Sequence, residues 1–211
     1  MKEESLDSLC QVCEKKRARR SCPGLHGEIC PVCCGTGREN TIDCPLDCEY
    51  LQEARRHEPQ NQLDPEHLPN PDIKVSEAFL SEHEALIGWL TNAIATGMET
   101  AHAVDNDARE ALDALIRTYR TLQSGLYYET RPQNPFAAQV QQEVQRSVEE
   151  YRKRKAEESG MQTLRDTEVL GVLVFLDRVE KQFNNGRPRG RAFLQFLRAH
   201  FPAAAAPSVL A

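Results

Sequence analysis

The sequence has no cysteine after Cys48, a single tryptophan, only 6% aromatic residues and no apolar run longer than Val172–Leu176. A run of that length is far short of the roughly 20 residues a membrane-crossing helix needs, so no membrane span is expected. The start, MKEESLDSLC, carries mixed charge and no apolar h-region, which gives the expectation of a cytoplasmic chain. A basic excess is also missing: the net charge of -6 divides into -2 for residues 1–50 and -4 for the rest, so neither part has the positive surplus of a strong phosphate-backbone binder. There is no phosphate-cradling glycine loop, no serine nucleophile elbow and no histidine cluster around an open metal position. These absences favour binding over chemistry, and the chain is read as non-enzymatic.

What is present is concentrated. All eight cysteines fall between Cys10 and Cys48, in the order Cys10-x2-Cys13, Cys22, Cys30-x2-Cys33, Cys34 and Cys44-x3-Cys48. Two-residue spacings let both thiolates of a pair reach one ion ~2.3 Å away, so this is metal-ligand spacing. Cys30-Pro-Val-Cys33, with Gly35 just beyond, reads as a zinc knuckle in which turn amides donate to the thiolates. The stretch from Thr36 to Ile42 has the length of a small hairpin, and Asp43 is placed to cap a helix beginning near Pro45. Cys44 and Cys48 would then share one face of that helix's first turn, where the dipole favours thiolate.

This order resembles the treble-clef class of zinc fingers over residues 10–50, which implies a site of Cys30, Cys33, Cys44 and Cys48. Cys10, Cys13, Cys22 and Cys34 remain as a second set, with His26 as a substitute ligand. Neighbouring side chains diverge, so Cys33 and Cys34 suit two ions better than one. A cross-braced arrangement of the RING-like or MYND-like kind uses the same cysteines in different sets, and the spacing leaves the pairing open. Two alternatives to two structural zinc ions are weighed: a disulfide framework, which needs an oxidising compartment, and an iron–sulfur cluster, which four thiolates also suit. With all positions of each site filled by protein, the metal holds a fold and performs no reaction.

Lys15, Lys16, Arg17, Arg19 and Arg20 form a basic run between the first cysteine groups. Arg187, Arg189 and Arg191 form another around Asn184-Asn185-Gly186. Either run is a candidate contact for phosphate, nucleic acid or an acidic partner, although solvated charge is the commoner reading of each.

The expected organisation is a cysteine module over 1–56, a proline-rich linker over 57–75, a helical domain over 76–201 and a loose tail over 202–211. Apolar residues at three- and four-residue steps give a helix from Ser76 fading near Gly97, a second after Asp105, and a third announced by Asn134-Pro135. A fourth, from Thr163, is apolar nearly all round and so central; a short fifth covers Arg191 to Phe201. The fold class is mainly α, an antiparallel bundle of four or five helices behind a zinc module. Glu99-x2-His102 has the spacing of a ferritin-like iron pair but is the sole copy, and Tyr127 and Tyr128 are candidates to line a groove. The expected function is that of an adaptor or regulator: the module binds a protein partner, and the helices offer a second surface or a homo-oligomer contact. A nucleic-acid-binding factor and an iron–sulfur or redox protein are the alternatives.

Overall fold

The computed structural model describes residues 8–126, 128–160 and 164–201. The expected tail lies outside these residues, as do Tyr127 and the expected helix start at Thr163. The chain divides into two compact units: residues 1–59 with 185–191, and residues 60–184 with 192–211.

In the first unit, strand β1 (Arg20–Cys22) pairs antiparallel with β2 (Gly27–Ile29), and two short helices follow, α1 (Pro31–Gly37) and α2 (Glu49–Arg55). The hairpin therefore lies before Cys30, not over Thr36–Ile42. The expected knuckle at Cys30 is instead the start of a helix: Pro31 occupies the first helical position, where its fixed φ and missing N–H suit the helix, and Cys30 is the N-cap. The helix expected from Pro45 begins later, with Cys48 as its N-cap, because Cys48 N–H closes a turn onto the Pro45 carbonyl first. The aliphatic core of this unit is Ile29, Ile42 and Leu51, surrounded by cysteines. Three such side chains are too few to offset the ordering entropy of a segment this long without a further cross-link.

Residues 185–191 are held in this unit by Glu39, which is fully buried and has left-handed backbone (φ 53). Its carboxylate pairs with Arg55 and with Arg187 at 3.3 Å, and accepts from Asn185 Nδ2 at 2.8 Å and from the Arg191 amide at 3.1 Å. Its carbonyl accepts from the Arg189 amide at 2.8 Å.

The second unit is helical: α3 (Glu77–Glu82), α4 (Glu84–Thr100), α5 (Asp105–Gln123), α6 (Pro135–Ser159), α7 (Asp166–Phe183) and α8 (Ala192–His200). The first expected helix is split at His83, and Ser76 caps α3 by accepting from the Phe79 amide. Asn134 caps α6, Pro135 opens it, and Gly160 ends it in the left-handed conformation. Helix α7 buries Val169, Leu170, Val172, Leu173, Val174 and Leu176, which spread over more than half of its circumference, and touches α4, α5 and α8. Helix α6 packs on α4 and α5. Asp105 accepts at its carboxylate from the amides of Phe193 and Leu194, at 2.9 and 3.3 Å, satisfying donors at the start of α8 from another helix.

Part of the proline-rich stretch is bonded to this unit. Asn61 donates its amide to the Gln182 carbonyl and Nδ2 to that of Asn184; Arg178 donates to the carbonyls of Pro69, Asn70 and Ile73; and Arg120 forms a bidentate pair with Asp72 at 2.7 Å. Prolines remove donors from such a segment, so its carbonyls are what remains for arginines to hold.

Candidate metal centre

The candidate metal centre is built from two short-range pairs brought together by the hairpin. Residues 8–18 fold back on themselves through the Leu9–Arg17 bridge, with the Cys10 amide donating to the Lys16 carbonyl at 2.8 Å. Gln11 N–H then bonds the Glu28 carbonyl at 3.0 Å, fixing Cys10 and Cys13 against β2. A Cβ on Gly27 would stand 1.8 Å from Gln11 Oε1, so the Gln11 side chain lies directly over this glycine. Strand β2 runs straight into Cys30, so the pair Cys30 and Cys33 at the start of α1 lands beside the pair Cys10 and Cys13.

The sulfurs of Cys10, Cys13, Cys30 and Cys33 all lie within 4.8 Å of one another, and among the described residues this is the group that comes so close. Four thiolates ~2.3 Å from a tetrahedral ion would stand ~3.8 Å apart, so the donor set fits a four-coordinate ion such as zinc. The set also closes the coordination sphere with protein ligands, which is the pattern of a structural site. Cys10 and Cys30 are buried and Cys13 and Cys33 half-buried. All eight cysteines are free thiols in the structure.

The surroundings distinguish the sulfurs. Burial opposes ionisation of Cys10, but the amides at 30, 13 and 12 donate to its sulfur and bring its pKa down to about 6. The amides of Lys15 and Lys16 lower that of Cys13. Cys33 is pushed up to about 12 by its contact with Cys30, by burial and by the facing Cys13 and Cys10. Cys30 Sγ accepts from the Cys33 amide at 3.4 Å, the kind of turn amide that steadies a metal thiolate.

The group brought together differs from the one that the treble-clef resemblance implies. Cys30 and Cys33 lie with Cys10 and Cys13, not with Cys44 and Cys48, because the hairpin between them folds the first pair onto the second. Cys22, Cys34, Cys44 and Cys48 instead line a common space elsewhere in the unit, with Cys44 raised by burial. His26 sits on the exposed hairpin turn, outside the four-thiol group.

The basic candidates separate. Lys15, Lys16, Arg17 and Arg19 are exposed. Arg20 donates to Cys34 Sγ at 3.3 Å and lies 4.5 Å over the Tyr50 ring. Arg187 and Arg191 are engaged by carboxylates, Arg187 by Glu39 and Glu58 and Arg191 by Asp43 at 2.5 Å; Arg189 is exposed. Sequence reading missed Glu39, whose only local signal is its place one residue before Asn40 in a turn.

In the helical unit, Glu99 of the expected iron pair is bound by Arg198 at 2.8 Å. Tyr128 lines a cavity of about 520 Å³ with Tyr119, Glu129, Arg131, Arg152 and Asp166. No helix of the described residues is long and apolar enough to cross a membrane. Compared with protein-family models, with curated proteins and with solved structures, the chain matches none.

Proposed function

We propose that the chain is a non-enzymatic adaptor or regulator whose first unit is a metal-stabilised binding module and whose helical unit, read as an antiparallel bundle, supplies a second surface. The observation that carries this reading is the closed four-thiol group of Cys10, Cys13, Cys30 and Cys33. The order of elements supports a treble-clef-type module displaced toward the N-terminus: a knuckle at Cys10–Cys13, then the β1–β2 hairpin, then α1 with Cys30 and Cys33 in its first turn. Zinc is the proposed ion. It has no redox chemistry, favours tetrahedral thiolate sets, and leaves no open position here for a substrate. The proposed location is the cytoplasm, where free thiols persist.

Metal content by mass spectrometry together with a visible spectrum, on protein purified without air or added metal, tests the ion. Zinc and a colourless solution support the reading. Iron with visible charge-transfer absorption overturns it in favour of an iron–sulfur protein, which the same donors suit. For the adaptor role, in-cell crosslinking of the full chain against its Cys10→Ser variant is decisive: partners lost with the module support it, and identical partner sets for the two chains sink it.

The exposure of Lys15, Lys16, Arg17 and Arg19 on the module favours one second reading, a nucleic-acid-binding factor. It requires affinity that falls ~10-fold or more over a few-fold rise in salt. Binding that ignores salt, or no binding, removes it.

A further inference from the structure

Setting aside the first four ligands, the thiols of Cys22, Cys34, Cys44 and Cys48 remain. They come from separate parts of the fold: Cys22 ends β1, Cys34 sits on α1 immediately after Cys33, Cys44 lies in the lead to α2, and Cys48 is the N-cap of α2. All four wall one space in the first unit, against the apolar side chains of Ile42 and Leu51. Cys22, Cys34 and Cys44 are buried there.

Burial alone does not mark a metal site, since a free cysteine behaves as a small hydrophobe. The charge around this space sets it apart. The Arg20 guanidinium donates to Cys34 Sγ at 3.3 Å and lies over the Tyr50 ring at 4.5 Å. A guanidinium fixed against a sulfur places a cation beside the space, the outer partner that a set of four sulfur ligands with net negative charge needs. The backbone amide of Glu39 donates to Cys44 as well, and Cys48, although an N-cap, spends no side-chain bond on capping α2. Two of the four sulfurs therefore already receive donors, and a third is left free of local duties.

We infer that Cys22, Cys34, Cys44 and Cys48 form a second four-thiolate zinc site, interleaved with the first along the chain, with Arg20 as a positioning residue on Cys34. The inference rests on the reading of the first unit as a metal module. The sulfurs of this set stand further apart than those of the first, and an ion would draw them to ~3.8 Å separations. Four thiolates and a divalent ion carry a charge of -2, which the Arg20 cation halves. Loss of such an outer partner commonly weakens a metal site 10–100-fold.

The test is cobalt(II) titration of the full apo-chain, followed through the thiolate-to-cobalt charge-transfer band, with native mass spectrometry of the zinc form. Saturation at two equivalents with equal absorbance for each, and two zinc ions in the mass spectrum, is the expected result. The double variant Cys22→Ser/Cys48→Ser should then hold one ion. Saturation at one equivalent, with that ion kept in the double variant, overturns the second site and leaves the first intact. No ion in the wild-type chain overturns the metal module itself. Arg20→Gln should retain both ions but surrender one to a chelator at ~10-fold lower chelator concentration; unchanged release shows that Arg20 does not serve the site.

Discussion

Cys33 and Cys34 are neighbours in the chain, yet Cys33 joins Cys10, Cys13 and Cys30 while Cys34 turns to Arg20, whose guanidinium meets its sulfur at 3.3 Å. Helix α1 makes this separation, because successive residues on a helix diverge by ~100°. One short helix thus faces two thiol groups. The unit that results has so little aliphatic core that its stability and its metal content are expected to be one quantity.

Chelation is the first prediction. Stripping metal from the full chain should unfold the first unit and leave the second folded, since only the second has a large apolar core. Cys30→Ser should act likewise, with a loss on the order of 10 kcal/mol from the first unit. Hydrogen exchange resolved by residue reads both units at once, and loss of protection in α5 and α7 along with β2 would contradict the expected independence.

Acid should release the metal, since each ligand must be deprotonated to bind and thiols compete for protons as pH falls. Zinc release followed with a colorimetric chelator during an acid titration, with loss of β1–β2 protection at the same pH, is the expected result.

Glu39 is expected to matter more than any exposed charge in the first unit. Replacing it by alanine leaves the Arg55 guanidinium buried without this carboxylate, and breaking a buried pair costs roughly 3–5 kcal/mol. The Arg191 amide loses its acceptor, whereas the Arg189 amide, bonded to the Glu39 carbonyl, keeps its own. Amide exchange should therefore speed up at Arg191 more than at Arg189 in Glu39→Ala.

Two glycines in helices should answer oppositely to alanine. A Cβ at Gly171 would stand 2.4 Å from the Phe79 ring, so Gly171→Ala overpacks the core at a cost of about 1–3 kcal/mol. Gly88 has nothing within 4 Å of a built Cβ, so Gly88→Ala should gain about 0.5–1 kcal/mol from reduced backbone entropy. Urea denaturation of each variant checks the pair.

Burial pushes the Tyr119 phenol up to about 12. Between pH 10 and 12 the unfolded chain releases this proton while the folded chain keeps it, so the unfolded state binds fewer protons and stability falls as pH rises. Two pH units correspond to ~2–3 kcal/mol at most. Tyr119→Phe should remove that part of the alkaline loss; identical alkaline melts for both chains would show that the phenol is not protected.

The helical unit was largely legible in advance because its signals are local. Asn134-Pro135 marks a cap and first turn, and the all-round apolar run from Val169 to Leu176 marks a buried helix; both need only neighbouring residues. The break at His83 was not legible, since the apolar stripe continues across it. Asp105 reads as the residue just before its own helix, and nothing nearby announces that it also satisfies the start of α8.

The cysteine spacings alone pointed to a candidate metal-binding module before residue 50, because Cys-x2-Cys is chemically suited to one ion whatever the fold. They did not determine which pairs come together. That was decided by the β1–β2 hairpin, which folds Cys10 and Cys13 onto Cys30 and Cys33, and by Pro31, which turns an apparent knuckle into a helix start. Residues 185–191 make the same point: their arginines look like an open anion site in sequence, yet a buried carboxylate 146 positions away from Asn185 holds Arg187, and Asp43 holds Arg191. Spacing sets which atoms are able to meet; only the packed chain sets which of them do, because burial selects one set of partners among many that local chemistry allows.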